Sequence, residues 1–247
     1  MSIDLRGKTY WLVGASEGLG RELARLLAAE GARLCLSARN SGRLEELAGE
    51  LPAEPVCAPC DIRDTASVAA AFAKLPPIDG VIFNAGVYEP VDALEWNADA
   101  VEAMCDVNFT GAARVLGQAV PTLTAQGRGQ IVLIGSLAGY RGLPRAIGYA
   151  SSKAAVMHLA ECLAIDLPTD RFTVQAINPG FIETRLTAKN DFPMPHILTA
   201  EAAAQEVVKA MKSGRFRTDF PATFARRFRF ARLLPDWLYF RAVRSSK

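Results

Sequence analysis

The sequence lacks several features that would assign it to a specialised class of protein. Its 247 residues include only two histidines and five irregularly spaced cysteines. The odd number of cysteines argues against a disulfide framework, and the spacing of His and Cys predicts no metal site. No apolar run approaches the length of about eighteen residues that a membrane span needs. Because the first predicted strand begins near Lys8, it leaves no room for a cleavable signal, and we expect a cytoplasmic protein.

An excess of charge of one sign is also lacking, except at the C-terminal end. The net charge of the whole chain is only +2, which argues against a general nucleic-acid partner. From residue 212 to residue 247, however, ten Lys or Arg side chains stand against Asp219 and Asp236. This segment therefore carries a net charge of +8, and residues 1–211 carry −6.

Short apolar runs alternate with amphipathic stretches along most of the chain. A chain of this length, half of it hydrophobic, can bury one sizeable core. The alternation predicts an α/β fold with a single Rossmann-type doubly wound parallel sheet and helices on both faces. Predicted strands cover residues 9–13, 33–37, 55–60, 80–84, 130–135 and 173–178. Predicted helices cover residues 20–30, 41–51, 65–75, 98–126 and 149–167.

A glycine-rich turn joins the first predicted strand to the first predicted helix. Gly14, Gly18 and Gly20 have the spacing G-x-x-x-G-x-G. Glycines permit a tight turn and a close approach of the backbone, and a helix amino end offers N–H groups to a pyrophosphate. At this place in an α/β chain, the turn favours dinucleotide binding over a purely structural role.

The end of the second predicted strand indicates which dinucleotide is preferred. A fold that prefers NAD carries an acidic residue there, about 20 residues after the loop, to bind the ribose hydroxyl. Ala38 and Arg39 occupy this place, so no carboxylate repels a 2′-phosphate and a guanidinium can hold one. We therefore predict NADP rather than NAD as the cofactor. Glu17 argues against this preference, because its carboxylate can lie near the same phosphate.

Tyr149 and Lys153 are candidate catalytic residues. They stand four residues apart in a predicted helix, so their side chains point the same way. A neighbouring ammonium should lower the pKa of the phenol from about 10, which makes Tyr149 a candidate general acid or base. Ser136, at the carboxyl end of a predicted strand, can hydrogen-bond the same substrate oxygen. An isolated Tyr-x-x-x-Lys motif is also typical of an ordinary surface pair.

Further motifs follow one another in a set order along the chain. They are the loop at residues 14–20, Asp61-Ile62, Asn84-Ala85-Gly86, Asn108, Ser136, Tyr149 with Lys153, and Asn178-Pro179-Gly180 followed by Thr184. With this set the sequence resembles the short-chain dehydrogenase/reductase family from about residue 5 to residue 184. An ordered set is far more specific than any member of it, and it favours a catalytic role for Tyr149 and Lys153.

The resemblance implies a role for each of these positions. Asp61 and the backbone of Ile62 would bind the adenine, and Lys153 would hold the ribose hydroxyls. Asn108 would hold a helix kink and a water of the proton relay. The catalytic set would be Ser136, Tyr149, Lys153 and Asn108. The cofactor contacts would be Gly14, Ser16, Gly18, Leu19, Gly20, Arg39, Asp61, Ile62, Asn84, Ala85, Gly86, Tyr149, Lys153, Pro179, Gly180, Ile182 and Thr184.

Together these features predict an NADP-dependent oxidoreductase that transfers a hydride between the nicotinamide and a small-molecule carbonyl or alcohol. Residues 185–199 fall where the family keeps its variable substrate loop, and Phe192, Met194 and Ile197 favour an apolar substrate. Two alternatives remain. One is a catalytically silent dinucleotide sensor or scaffold, and the other is a reductase of carrier-bound 3-oxoacyl chains.

We predict a dinucleotide-binding and catalytic domain over residues 1–211, followed by a C-terminal extension over residues 212–247. Its aromatic residues are interleaved with arginines, as is typical of a peripheral membrane contact. The alternative is that the extension caps the substrate cleft or packs against a second subunit. Pro235 interrupts any single helix there. By resemblance the protein is expected to be a homodimer or homotetramer that pairs through the helices predicted at residues 98–126 and 149–167.

Overall fold

Seven parallel strands, labelled β1 to β7 in chain order, form the central sheet in the computed structural model, which describes residues 2–244. The order across the sheet is β3-β2-β1-β4-β5-β6-β7, so the winding reverses between β1 and β4. In doubly wound folds, ligands bind beyond the carboxyl ends of the strands at this reversal. The predicted fold is confirmed. The strands are Thr9–Val13, Arg33–Ser37, Val56–Cys57, Gly80–Phe83, Gly129–Ile134, Phe172–Pro179 and Arg217–Phe220.

Helices α1 to α9 cover both faces of this sheet. Alternate side chains of a strand point to opposite faces, so Tyr10 and Leu12 of β1 enter one core and Trp11 and Val13 enter the other. The first core lies under α1, α2 and α7, and the second under α3, α5 and α6. The helices are Gly18–Ala29, Ser41–Glu50, Thr65–Phe72, Ala98–Cys105, Gly111–Gln126, Ile147–Asp166, Ala200–Ser213, Ala222–Leu233 and Asp236–Arg244.

Strand β3 is much shorter than predicted from residues 55–60. Only Val56 and Cys57 pair in register with β2. Pro59 has no N–H to donate, but its position in this edge strand faces away from β2. The N–H of Ala58 donates to the carbonyl of Leu36 in β2 at 2.9 Å, and that of Cys60 donates to the carbonyl of Ala38 just after β2 at 3.1 Å. The chain therefore runs beside β2 and brings residue 61 to the edge where β1 and β2 end.

The helical stretch predicted over residues 98–126 has the expected ends but is not one regular α-helix. A π-helical turn, Asp106–Thr110, separates α4 from α5. In this turn the N–H of Gly111 donates to the carbonyl of Asp106, five residues earlier, instead of four. The spacing of apolar residues along a long helix does not reveal a single wider turn, so the periodicity alone did not predict this one. The turn contains Asn108.

The C-terminal residues extend the fold further than expected from the sequence. Strand β7 was not predicted because two of its four residues, Arg217 and Asp219, are charged. It pairs with β6 at the edge of the sheet. The helix break predicted at Pro235 is confirmed, since α8 ends at Leu233 and α9 begins at Asp236. None of the helices within residues 2–244 is both long enough and apolar enough to cross a bilayer.

Candidate active site

The glycine loop leaves β1 and enters α1 with no space for side chains. Gly14 and Gly18 adopt φ angles of 88° and 53°, which favour glycine. A Cβ on Gly14 would lie 2.6 Å from the backbone nitrogen of Ala85, and one on Gly20 would lie 1.9 Å from the carbonyl oxygen of Gly14. The side-chain amide of Asn84 donates to that same carbonyl oxygen at 2.8 Å. The loop is therefore fixed against the segment after β4.

The amino end of α1 suits a pyrophosphate. Its cap residue, Glu17, makes no side-chain hydrogen bond to the first turn of the helix. The backbone N–H groups of that turn are directed away from the helix and toward the cleft lined by Gly18 and Leu19. Unpaired N–H groups and the helix dipole both favour an anion at this place. The residues present thus fit a dinucleotide.

Arginine side chains surround the end of the cleft beyond β2. Arg39 is exposed and lines the cleft directly after β2 and Ala38. Arg43 lies in the first turn of α2 and donates from Nη1 to a Glu17 carboxylate oxygen at 2.9 Å. Arg185, which follows β6, pairs with the other oxygen of the same carboxylate. Two guanidiniums therefore offset the charge of Glu17. This carboxylate was the one feature of the sequence that argued against a bound 2′-phosphate.

Asp61 lies in the same region, where the chain passes the end of β2. Arg63 donates to both of its carboxylate oxygens, with Nη2 at 2.6 Å from Oδ2. This pairing lowers the pKa of Asp61 to about 2. The carboxylate is thus ionised at neutral pH and can accept hydrogen bonds. The next residue, Ile62, is buried.

Ser136 and Tyr149 meet at the carboxyl end of β5. Ser136 caps a short 3₁₀ turn by accepting from the N–H of Ala138 at 3.1 Å, and its hydroxyl neighbours the Tyr149 phenol. Tyr149 stands in the first turn of α6, and its ring packs edge-on against Tyr88 at 5.2 Å. Burial raises the pKa of the Tyr149 phenol, and the neighbouring Ser136 hydroxyl opposes that shift. The phenol is therefore protonated at neutral pH.

Lys153 lies one turn further along α6 and is almost completely buried, with 4% of its surface exposed. Its Nζ donates to the carbonyl of Ile134 at 2.9 Å and lies 5.9 Å from the centroid of the Tyr149 ring. Burial lowers the pKa of the lysine to about 8. The expectation that Lys153 would lower the pKa of Tyr149 was wrong for the protein alone, because burial of the phenol outweighs an ammonium at this distance.

Asn108 is fully buried and satisfied by hydrogen bonds. Its Oδ1 accepts from the N–H of Val87 at 2.7 Å, and its Nδ2 donates to the carbonyl of Val87 at 3.0 Å and to Ser152 Oγ at 2.9 Å. A Cβ on Gly86 would lie 3.5 Å from both Asn108 Oδ1 and Lys153 Nζ. The π-helical turn thus directs Asn108 to the strand end beside Lys153.

The chain after β6 forms the opposite wall. Pro179 ends β6, and a Cβ on Gly180 would lie 3.1 Å from the ring of Phe224. The methyl group of Thr184 would lie 3.1 Å from a Cβ on Gly18, so Thr184 reaches the glycine loop. Ile182 is buried. This wall joins the loop to the C-terminal helix α8.

One cleft of about 840 Å³ contains most of the predicted positions. Gly20, Ser136 and Asn108 do not line it, although Ser136 neighbours Tyr149, which does. The sequence analysis missed Arg43 and Arg185. Arg43 stands four residues after Arg39, one helical turn away, and this spacing was a usable signal. No sequence signal pointed to Arg185, because it pairs with Glu17, a residue 168 positions away in the sequence.

The sequence of this chain matches a known protein family. A family model described as short chain dehydrogenase matches residues 8–193. The chain belongs to the short-chain dehydrogenase family. A family relative described as an uncharacterized oxidoreductase of Myxococcus xanthus is 34% identical over 98% of both chains. The 3-oxoacyl-[acyl-carrier-protein] reductase FabG of Rickettsia felis is 29% identical over 76% of this chain and 78% of its own.

Solved structures of short-chain dehydrogenases have the same fold. One from Sphingobium yanoikuyae, in complex with NADPH, superposes with a TM-score of 0.81 and 25% identity, over 90% of this chain and 91% of that one. Another from Burkholderia cenocepacia, in complex with NADP, also gives 0.81 and 25%, over 93% and 94%. Short-chain dehydrogenases of this fold are oxidoreductases that bind a nicotinamide cofactor.

Proposed function

We propose that this protein is an NADP-dependent oxidoreductase that transfers a hydride between the nicotinamide and the carbonyl or alcohol carbon of an apolar substrate. The observation that carries the proposal is that the Ser136 hydroxyl neighbours the Tyr149 phenol, with Lys153 one helical turn away. Tyr149 and Lys153 share one cleft of about 840 Å³ with the glycine loop, at the place where this kind of fold binds a dinucleotide.

When bound in the cleft, NADPH would supply the hydride for the carbonyl carbon. Tyr149 donates its phenolic proton to the carbonyl oxygen as negative charge develops there, and the raised pKa keeps that proton in place at neutral pH. The Ser136 hydroxyl donates a second hydrogen bond to the same oxygen. In the reverse direction the same groups remove the proton of an alcohol.

Lys153 and Asn108 support this proton transfer. With a pKa of about 8, Lys153 exchanges protons readily near neutral pH, and it can hold the ribose hydroxyls of the cofactor. Asn108, fixed by Val87 and Ser152, would position the water that connects Lys153 to solvent. A buried amide held by three hydrogen bonds keeps its orientation, which such a relay requires.

The preference for NADP is supported by the arginines beyond β2. Arg39 presents an exposed guanidinium, and Glu17 is already paired with Arg43 and Arg185. The carboxylate therefore does not repel a 2′-phosphate as an unpaired one would, and guanidiniums bind phosphate with paired hydrogen bonds. Asp61 and Ile62 would contact the adenine.

An apolar substrate is supported by an aromatic wall between the substrate loop and α8. Phe192 of the substrate loop packs against Phe181 at 6.0 Å, and Phe181 packs against Phe224 of α8 at 5.7 Å. His196 also lies against Phe224, at 5.8 Å, which assigns it to packing in this wall. Aromatic walls favour aliphatic or aromatic ketones and aldehydes. The similarity to 3-oxoacyl carrier-protein reductases makes acyl chains one class to test.

We also propose that the protein is a homodimer or homotetramer paired through the helices of residues 98–126 and 149–167. Phe109, in the π-helical turn, and Ile165, near the end of α6, remain 36% and 82% exposed. Apolar side chains at such positions suit burial against a second subunit. Sedimentation of the purified protein measures this directly.

The function is tested with purified protein, NADPH and a panel of apolar ketones, aldehydes and 3-oxoacyl thioesters. Fluorescence titration first compares NADPH with NADH, and the loss of NADPH absorbance then measures turnover. We expect tighter binding of NADPH and turnover of at least one carbonyl class. Tight binding of NADPH without turnover of any carbonyl would favour a dinucleotide sensor instead.

A further inference from the structure

The last two helices carry an apolar surface that the rest of the protein leaves uncovered. Phe230 and Leu233 of α8 are 64% and 80% exposed, and Trp237 of α9 is 68% exposed. Monomeric proteins rarely expose several large apolar side chains together without a binding role. We call this the aromatic–arginine surface. It consists of Arg226, Arg227, Phe230, Arg232, Leu233, Trp237, Leu238, Phe240, Arg241 and Arg244.

Each helix has one face for the protein and another for this surface. In α8, Phe224 and Ala225 are buried, whereas Phe230 and Leu233, three residues apart, lie on the opposite side. In α9, Tyr239 is buried and Trp237 is exposed. The exposed rings are therefore surplus to the packing that holds the helices.

Four of the arginines of this surface have no acidic partner among the residues that the structure describes. No carboxylate within residues 2–244 forms an ion pair with Arg226, Arg227, Arg232 or Arg241. By contrast, Arg229 donates to the buried Asp219 at 2.6 Å and belongs to the fold. Unpaired guanidiniums interleaved with exposed aromatic rings suit an anionic partner that also offers an apolar phase.

The surface is fixed to the catalytic loop between Ser136 and Tyr149. Arg141 of that loop donates to the carbonyl of Leu234 at 3.2 Å and to Asp236 at 2.8 Å, and its guanidinium stacks 4.2 Å above the ring of Tyr239. The Tyr239 hydroxyl donates to the carbonyl of Gly142 at 2.8 Å. The surface is therefore held in place at the substrate end of the cleft.

We propose that the aromatic–arginine surface binds the headgroup region of an anionic membrane. At such a membrane the exposed aromatic rings would lie at the depth of the headgroups, and the arginines would contact anionic lipid. A second copy of the chain is a poorer partner for this surface, because a two-fold interface would place the unpaired arginines of the two copies against one another. The inference is independent of the redox reaction, since vesicle binding needs neither cofactor nor substrate.

The test is co-sedimentation of the full-length protein with vesicles of phosphatidylcholine alone or mixed with phosphatidylglycerol. We expect at least about tenfold stronger binding to the anionic vesicles, weakening as salt is raised. The double variant Arg226→Gln with Arg232→Gln should weaken this binding about 30-fold, since each arginine near an anionic surface contributes a factor of about five. Trp237→Ser with Phe240→Ser should also reduce it about tenfold or more.

Matched variants remove exposed groups elsewhere. Leu94→Ser with Trp96→Ser removes side chains that are 96% and 58% exposed, and Arg33→Gln with Arg128→Gln removes two exposed arginines. These variants should bind anionic vesicles as the unmodified protein does. Equal binding to both kinds of vesicle, or equal losses in the matched variants, would overturn the proposal. A change of oligomeric state in the Trp237 and Phe240 variant would assign the surface to a subunit interface instead.

Discussion

Asp219 is the residue whose replacement should reveal most about how the C-terminal helices are attached. Its side chain has no exposed surface, yet it is charged. Tyr140 Oη and Arg229 Nε donate to Oδ2 at 2.8 Å and 2.6 Å, and Asn178 Nδ2 donates to Oδ1 at 2.8 Å. One carboxylate thus joins β7, β6, the loop after Ser136 and helix α8.

The substitution Asp219→Asn keeps the shape but replaces one acceptor with a donor. With its oxygen toward Tyr140 and Arg229, the new amide directs its nitrogen at the Asn178 amide nitrogen that now donates to Asp219, and in either orientation Arg229 loses its charged partner. Breaking a fully buried ion pair costs about 3–5 kcal/mol. Because the Arg229 side chain is 54% exposed and can turn to water, we expect the lower end, about 3 kcal/mol.

Thermal unfolding followed by circular dichroism measures this cost. About 3 kcal/mol should lower the Tm by about 6–12 °C for a chain of this size. The matched variant Asp170→Asn removes a carboxylate that is 78% exposed, and it should change stability by less than about 0.5 kcal/mol. Equal Tm values for the two variants would refute the view that the Asp219 network holds α8 to the sheet.

Three further predictions concern the cofactor and Lys153. Gly20→Ala should abolish NADPH binding in a fluorescence titration, because its Cβ would lie 1.9 Å from the Gly14 carbonyl oxygen; undiminished affinity would contradict the close packing of the loop. Arg39→Ser should weaken NADPH about 10-fold or more and leave NADH nearly unchanged in the same titration, since a hydrogen bond to a charged group contributes about 1.5–3 kcal/mol; equal losses for both cofactors would contradict the phosphate contact. Burial lowers the pKa of Lys153 from 10.5 to about 8, so the unfolded chain binds more protons between these values and stability should rise with pH there. Denaturant unfolding from pH 8 upward should show this rise, by up to about 3 kcal/mol, and should show none in Lys153→Met.

The sequence predicted the framework of the fold because the framework depends on local apolar patterns. The runs that became β1, β2, β4, β5 and β6 lie between amphipathic helices, and the predicted parallel sheet followed. Strand β7 and the π-helical turn do not show in such patterns. The first is stabilised by the buried network of Asp219, and the second differs from an α-helix by one residue in a single turn.

The site was predictable where one motif carries the function and less so where distant residues meet. The glycine loop and the Tyr149–Lys153 pair were visible as short motifs. The direction of the Tyr149 pKa shift was not, because it depends on burial by residues from several elements. The pairing of Glu17 with Arg43 and Arg185 likewise depends on the fold, and it offsets the charge of Glu17.

The most direct test of the proposed chemistry is turnover by Tyr149→Phe with bound NADPH. The substitution removes the phenolic proton and keeps the ring that packs against Tyr88. We expect NADPH affinity close to that of the unmodified protein and a kcat reduced about 10²–10⁴-fold on whichever carbonyl is reduced. Full turnover by a variant that still binds NADPH would contradict the assignment of Tyr149 as the proton donor.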